Sequence, residues 1–409
     1  MTVSTDILIV GAGQGGAQVA ISLRQGGFEG SITMVGDEPD APYDRPPLSK
    51  DYLAGEKTVD RLSLRKPEFW QEKAVDLCLG ARVVTIDADS HQATTDQGRT
   101  YHYGKLIWAA GGFARPLSIP GGDHAGIHVI RTRAQVDQLR SEAETAQNIV
   151  IIGGGYIGLE AAAVLIKQGK KITLLEAEDR VLARVAGADI SAFYEAEHRR
   201  QGVDIGTGVG VTHLTGENGR VKSVVLANGD ELTADLVIAG IGLVPNKDVM
   251  EAAGAKCSNG VDVDDLCRTS LADIFSIGDC ACHKNSYADG VHLRVESVPN
   301  AVGQAKAVAS VILGAPKPFT DVPWFWSNQY DLKLQTAGLN HGYDETLLRG
   351  DPASRSFSLL YLRKGQIIAV DAVNMIKDFM AGKKLVAQAI VVDKAQLADT
   401  EIPLKSFVV

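Results

Sequence analysis

The sequence predicts an α/β protein of three domains, the second inserted in the first and the third an α+β domain. Three observations carry that prediction. One segment is written twice, as ILIVGAGQGGAQVAISLRQGGFEGSITMVGD at 7–37 and NIVIIGGGYIGLEAAAVLIKQGKKITLLEAE at 148–178. Both copies run apolar strand, G-x-G-x-x-G, helix of small and apolar residues, Gly, second apolar strand, acid. Their unbroken Val/Ile/Leu runs are those of parallel strands buried on both faces, so each copy is a βαβ unit. Each copy is followed by a strand-rich stretch with a near-parallel ending, LIWAAGG at 106–112 and DLVIAGIGLVPN at 235–246. Beyond a Gly/Pro linker at 314–318 the character changes. Short β-like runs (SFSLLYL, QIIAVDAV) lead there into a helical pattern near 378–391.

The elements follow in order. After the first βαβ unit, 75–109 reads as strands, and after the second, 203–241 does. TSLADIFSIGDCA (269–281) is a strand running into Gly278-Asp279, and a small-residue helix is expected from about 297 to 313. The domain boundaries read from this are 1–112 with 244–318, 113–243, and 319–409.

Composition agrees and excludes several classes. At about 150 residues per domain, 409 residues hold two or three domains. With 45% hydrophobic and 22% charged residues, the chain is neither disordered, collagen-like nor a membrane protein. Its 43 glycines exceed the roughly 29 of an average chain, so backbone must turn tightly or approach a ligand closely. A net charge of -9 argues against nucleic acid or anionic lipid as partners. No uncharged apolar run reaches the roughly 20 residues of a bilayer span. The uncharged stretch 7–23 is broken by glycines and follows Asp6 with no basic leader, so it is not read as a signal peptide. Five cysteines (Cys78, Cys257, Cys267, Cys280, Cys282), dispersed but for one C-x-C, point to a reducing, cytoplasmic setting, and no metal is expected.

The glycine motifs define two Rossmann-like dinucleotide sites. In the first, Gly11 permits the tight turn, Gly13 lets backbone approach a pyrophosphate and Gly16 lets helix pack on strand, with anions favoured at the helix N-terminus. The acid for a ribose is Asp37 or Glu38, with Asp37 preferred because Glu38 already enters a proline-bearing loop. In the second copy the glycines are Gly153, Gly155 and Gly158. Its second strand ends in Glu176, which would accept from a ribose 2'-OH and repel a 2'-phosphate, with Glu178 adding charge. NADH is therefore expected over NADPH, with Arg180 and Arg184 the residues that could reverse this.

An N-terminal dinucleotide motif, a later strand ending in Gly-Asp and an interrupting second nucleotide domain together resemble the FAD-dependent glutathione reductase superfamily. The runs PYDRPPLSK (42–50), VIIGGGYIGLE (150–160), ESVPNA (296–301), PWFWSNQY (323–330) and AVDAVN (369–374) are similar to NADH-dependent ferredoxin reductases of the putidaredoxin reductase type, which serve cytochrome P450 and ring-hydroxylating dioxygenase systems. The resemblance implies a tightly but non-covalently held FAD in the first domain, NADH in the second and a [2Fe-2S] ferredoxin as acceptor. Its FAD contacts fall on Gly15, Asp37, Arg45, Lys50, Val83, Arg131, Asp279 and Val298. Asp279, a strand-end carboxylate beside a glycine, also suits a ribitol hydroxyl; its alternative is an N-cap of the segment that follows.

For the electron route the resemblance pairs Lys50 with Glu160, on the opening turn of the second motif's helix and directed at the nicotinamide. Tyr156 stands where relatives place an aromatic over the flavin. Trp324 and Trp326 are read as presenting indoles to different sides, with Trp326 at the flavin. The C-x4-C of disulfide reductases and the single Cys of peroxidases are absent from 42–50, and Cys280-Ala-Cys282 is a weak redox signal, so electrons must leave for a separate carrier. A rubredoxin in place of the ferredoxin, or an interaction role like that of apoptosis-inducing factor, are the alternatives. Arg65 after an apolar strand-like run, Lys306 and Lys333 are the candidate docking cations.

Overall fold

The computed structural model describes residues 2–409, which divide into two units: 2–44, Asp60–Phe113 and Val244–Phe325 in one, Arg45–Val59, Ala114–Leu243 and Trp326–Val409 in the other. The sequence reading places 45–59 in the first domain and makes 319–409 a domain of its own. In the structure 45–59 and 326–409 group with 114–243 instead. The reason lies in side-chain contacts that local pattern does not carry: Arg45, Ser49, Lys50 and Tyr52 find partners in 131–160, and Gln329 and Tyr361 find theirs in 187–198.

In the first unit a seven-stranded sheet has the order Val75–Leu79, Ile32–Gly36, Thr2–Val10, Thr100–Trp108, Gln92–Thr95, Val83–Asp87, with Ile274–Ser276 added to Thr100–Trp108. Pairing is parallel through the first four and to the added strand, and antiparallel in the remainder. Alternation sorts the central strand. Ile7 and Ile9 face the helices Gln14–Gln25 and Val298–Ile312, packing with Val19, Leu23, Ala305 and Val308. Leu8 and Val10 face Tyr101, Tyr103, Trp108 and Met250. Both faces are therefore dry, which is why the strand carries no polar alternation.

The second unit has a five-stranded parallel sheet, ordered Asp204–Gly206, Lys171–Leu175, Asn148–Ile152, Leu236–Ala239, Ile127–His128. The antiparallel strands Val211–Glu217, Arg220–Leu226 and Glu231–Thr233 cover it through Leu214, Val221 and Val224. The C-terminal segment is a second five-stranded sheet in the order Trp324–Gln329, Leu332–Gly338, Gln366–Val373, Ser356–Arg363, Glu345–Asp351, with the helix Ile376–Gln388 packed on it. Buried Arg349 pairs with Asp378 at 3.0 Å and donates to the carbonyls of Leu397 and Ile402, fastening the tail. Among the described residues no helix is long and apolar enough to cross a membrane.

Candidate functional site

The two glycine loops solve one steric problem twice. Gly11 and Gly153 adopt φ of +115° and +110°, closed to L side chains, and a Cβ on them would sit 2.2 Å from the Ala109 carbonyl oxygen and 2.4 Å from that of Gly240. A Cβ on Gly16 or Gly158 would reach 2.1 Å from the carbonyl of Gly11 or Gly153. A Cβ on Gly13 or Gly155 would meet nothing within 4 Å. The outer glycines are thus required by the protein's own packing, while the middle one opens on free space at a helix start. Gly13 and Gly155 are also the N-caps of Gln14–Gln25 and Tyr156–Lys167, neither with a side-chain cap nor an acid in the first turn. Their N–H groups suit a pyrophosphate, so both loops fit a dinucleotide. Gly15 sits in the first turn of its helix, where a Cβ would press on Ile277 at 3.2 Å.

Register separates the acids after the second strands. Gly11 donates to Val35 and Gly153 to Leu175, so the residue matching Glu176 in the first copy is Gly36. A Cβ on Gly36 would lie 2.6 Å from that of Ala12, whereas in the second copy Gly154 makes the room that Glu176 fills. The first copy's acids come later: Asp37 is exposed and pairs with Arg82 at 3.2 Å, and Glu38 accepts from the Tyr43 hydroxyl at 2.7 Å. Glu176 is held across its loop by the N–H groups of Gly154 (2.7 Å) and Glu178 (2.9 Å). Arg180 donates inward to Ala183, Ala186 and Ser191, and Arg184 is exposed.

Asp279 lies in the 3-10 turn Gly278–Cys280, directly after the strand Ile274–Ser276 and next to Gly278 at φ +77°. The cap of the following helix is Ser297, whose hydroxyl accepts from Asn300, so Asp279 does not cap it. Val298 is the first residue of that helix. The Val83 side chain is buried in the core.

In the second unit the Lys50 ammonium lies 2.7 Å from Glu160 Oε2, and the carboxylate is 2% exposed. Ser49 donates to the same oxygen at 2.5 Å and Ser327 to Oε1 at 2.6 Å. The chain of bonds continues from Gln329 Nε2 to Ser327 Oγ (3.1 Å), between Gln329 Oε1 and His198 Nε2 (2.8 Å), and between His198 Nδ1 and the Tyr330 hydroxyl (2.9 Å). Burial holds the His198 imidazole below its usual range, which suits a neutral ring donating from Nε2 and accepting at Nδ1. The sequence reading named Lys50 and Glu160 but missed Ser49 and Ser327, although both serines stand inside the runs PYDRPPLSK and PWFWSNQY.

Arg45 donates to the Arg131 carbonyl at 2.8 Å. Tyr156, half-buried at the start of its helix, has its phenol pushed well above the usual range by burial and by the charge of Asp371. Residues two apart in a strand share a side, so Trp324 and Trp326 of Trp324–Gln329 point the same way and Phe325 opposes them, which corrects the reading that separated the two indoles. Arg65 follows the helical turn Val59–Leu62 rather than a strand, and its guanidinium lies 5.6 Å from the Phe69 ring. Arg65, Lys306 and Lys333 are all exposed.

The five cysteines are free. Cys280 is fully buried, with its thiol pushed up to about 11 by burial, and Cys267 and Cys282 are raised by the same cause.

Comparison with known proteins agrees with this architecture. Residues 5–305 match the family described as pyridine nucleotide-disulphide oxidoreductase, and residues 324–408 match the reductase C-terminal family. The chain is 53% identical over 401 residues to the 5,5'-dehydrodivanillate O-demethylase ferredoxin reductase subunit of Sphingobium sp., covering 98% of this chain and 97% of that one. Among solved structures, the ferredoxin reductase for the CYP199A2 system from Rhodopseudomonas palustris superposes with a TM-score of 0.96 at 38% identity, covering 99% of this chain and all of the other. Putidaredoxin reductase in its covalent complex with putidaredoxin gives 0.96 at 39%, covering 99% and 98%. Two glycine loops of one design, a C-terminal sheet-and-helix segment and these likenesses over the full length make one conclusion: the chain belongs to the pyridine nucleotide-disulphide oxidoreductase family, among its ferredoxin reductases.

Proposed function

We propose that this oxidoreductase takes electrons from NADH through a tightly bound FAD and delivers them to a [2Fe-2S] ferredoxin serving a cytochrome P450 or a ring-hydroxylating oxygenase. The observation that carries the reading is the pairing of two dinucleotide cradles with cysteines unsuited to redox work. A disulfide reductase needs an accessible thiol of lowered pKa. Here burial raises Cys267, Cys280 and Cys282. Electrons must then go to a separate carrier, and the full-length likeness to ferredoxin reductases supports a ferredoxin. The free cysteines suit the cytoplasm.

The first loop, with Asp37, Val83, Asp279 and Val298, would hold FAD; the second loop, with Glu176, would hold NADH. The flavin accepts a hydride and releases single electrons, chemistry that belongs to the cofactor. The chain's residues bind and orient. Glu160 pairs with Lys50 and is held by two hydroxyls, so its position is set before any ligand arrives. Glu176, anchored by backbone N–H groups, presents fixed negative charge where a 2'-phosphate would stand, and Arg180 is committed inward. That favours NADH.

The test is stopped-flow reduction of the bound flavin by NADH, followed by cytochrome c reduction with and without candidate carriers. Rapid flavin reduction and a strong dependence on a [2Fe-2S] ferredoxin are expected. Turnover that responds only to a rubredoxin would transfer the reading to a rubredoxin reductase. Flavin that NADH leaves oxidised would overturn it.

A further inference from the structure

The strands Val261–Val263, Ala281–Asn285 and Val291–Leu293 form a small sheet in the first unit, the first pair parallel and the second antiparallel. Its register sets Asp262 opposite Cys282 and Lys284 opposite His292. Cys282 and Lys284 are two apart, so Asp262, Cys282 and His292 share one face, each from a different strand. One donor atom from each, a carboxylate oxygen, a sulfur and an imidazole nitrogen, lie within 4.8 Å of one another.

We infer that Asp262, Cys282 and His292 form a site for one borderline divalent cation, with Zn2+ the ion this donor set suits. Carboxylate, thiolate and imidazole are the three protein ligand types of zinc, with bonds of about 2.0 to 2.3 Å. Tetrahedral angles at those lengths put donors roughly 3.5 Å apart, so the three must close by about an ångström. Side-chain rotation on fixed strands supplies that movement, and a water completes the fourth position.

The surroundings support the assignment. Ser258 Oγ lies 2.5 Å from Asp262 Oδ1 and 3.4 Å from Cys282 Sγ, so one hydroxyl holds two of the donors together. Cys282 is buried, Asp262 half-buried and His292 exposed, which gives the cation an entry from the His292 side. The nearby cation is Arg294, already paired with Glu296 at 2.8 Å and donating to the Asp279 carbonyl at 2.7 Å. As the S–Zn bond forms, the S–H bond breaks and one proton goes to solvent per ion bound.

The site explains a C-x-C motif that electron transfer leaves unused. Cys280 faces Ser276 and the carbonyls of Trp108 and Ile277 in the core, while Cys282 faces Ser258, so the two sulfurs have separate roles. No zinc motif is visible in sequence, because ligands at 262, 282 and 292 meet only through strand register.

The experiment dialyses the flavin-loaded chain against micromolar Zn2+ with a competing chelator, then measures zinc and flavin per chain. One zinc per chain is expected, with X-ray absorption at the zinc edge showing one sulfur neighbour. Cys282→Ala and His292→Ala should each weaken binding at least tenfold, while Cys257→Ser leaves it intact. Zinc should also raise the thermal midpoint of the parent chain and leave that of Cys282→Ala unmoved. His292 is on the surface, so its variant keeps the test valid if Cys282→Ala misfolds. No retained zinc, or zinc retained equally by both ligand variants, overturns the assignment.

Discussion

At the scale of single residues, Glu160 shows how a buried charge is kept. Its two oxygens take three donors, from Ser49, Lys50 and Ser327, in a place 2% exposed. Removing one partner of a buried ion pair leaves the other uncompensated and costs about 3 to 5 kcal/mol, whereas removing both costs less than the sum. Lys50→Met and Glu160→Ala should each slow flavin reduction by NADH with FAD retained, and the double variant should be less than additive in single-turnover rates. Additive losses would separate the two residues.

Asp371 gives a second residue-level prediction. Burial raises its carboxyl to about 6, while the Tyr361 hydroxyl donates to it at 2.5 Å. The folded value lies above the unfolded one of about 3.9, so the contribution to stability is present below about pH 4 and is lost as pH rises through about 6. Asp371→Asn keeps an oxygen for Tyr361 and removes the titration. Relative to the parent it should gain about 2 to 3 kcal/mol between pH 4 and pH 7. Parallel thermal midpoints for the two proteins across that range would refute it.

At the scale of elements, the glycine loops divide into positions that serve the chain and positions that serve the ligand. A methyl on Gly16 collides with the Gly11 carbonyl, but one on Gly13 enters open space. Gly16→Ala should therefore lower the thermal midpoint of the flavin-free chain, and Gly13→Ala should leave it alone while weakening FAD binding. Calorimetry on flavin-free protein followed by flavin titration distinguishes the two, and equal effects on stability would contradict the steric account. With NADH at the second loop, as proposed, the charge there sets the choice between NADH and NADPH. Fixed charge at Glu176, with Arg180 occupied, should favour NADH over NADPH by more than about a hundredfold in kcat/KM, a few kcal/mol. Glu176→Gln should narrow that ratio, and equal use of both nucleotides by the parent would remove Glu176 from the role.

At the scale of the whole molecule, net charge sets the docking problem. The chain carries -9, so an acidic ferredoxin must find a local positive area. Arg65 and Lys306 are exposed. Reversing either to Glu should raise the KM for ferredoxin and flatten its salt dependence, with NADH-driven flavin reduction unchanged. Salt dependence unaltered in both variants would place the docking face elsewhere.

The duplicated βαβ pattern, the G-x-G-x-x-G loops and the late Gly-Asp were legible because each is written over a few neighbouring residues with a period of 2 or 3.6. That was enough for the α/β class, two dinucleotide cradles and a C-terminal α+β segment. Only the tertiary structure decided the partners of Glu160, which lie 111 and 167 positions away at Ser49 and Ser327. It also decided that Gly36, rather than an acid, matches Glu176, since Ala12 fills in one copy the space that Gly154 leaves in the other. The meeting of Asp262, Cys282 and His292 depends on strand register, which no local pattern records. Local propensity and periodicity act along the chain and can be read there; hydrogen-bond partners and strand neighbours are chosen by packing, which exists only once the chain has folded.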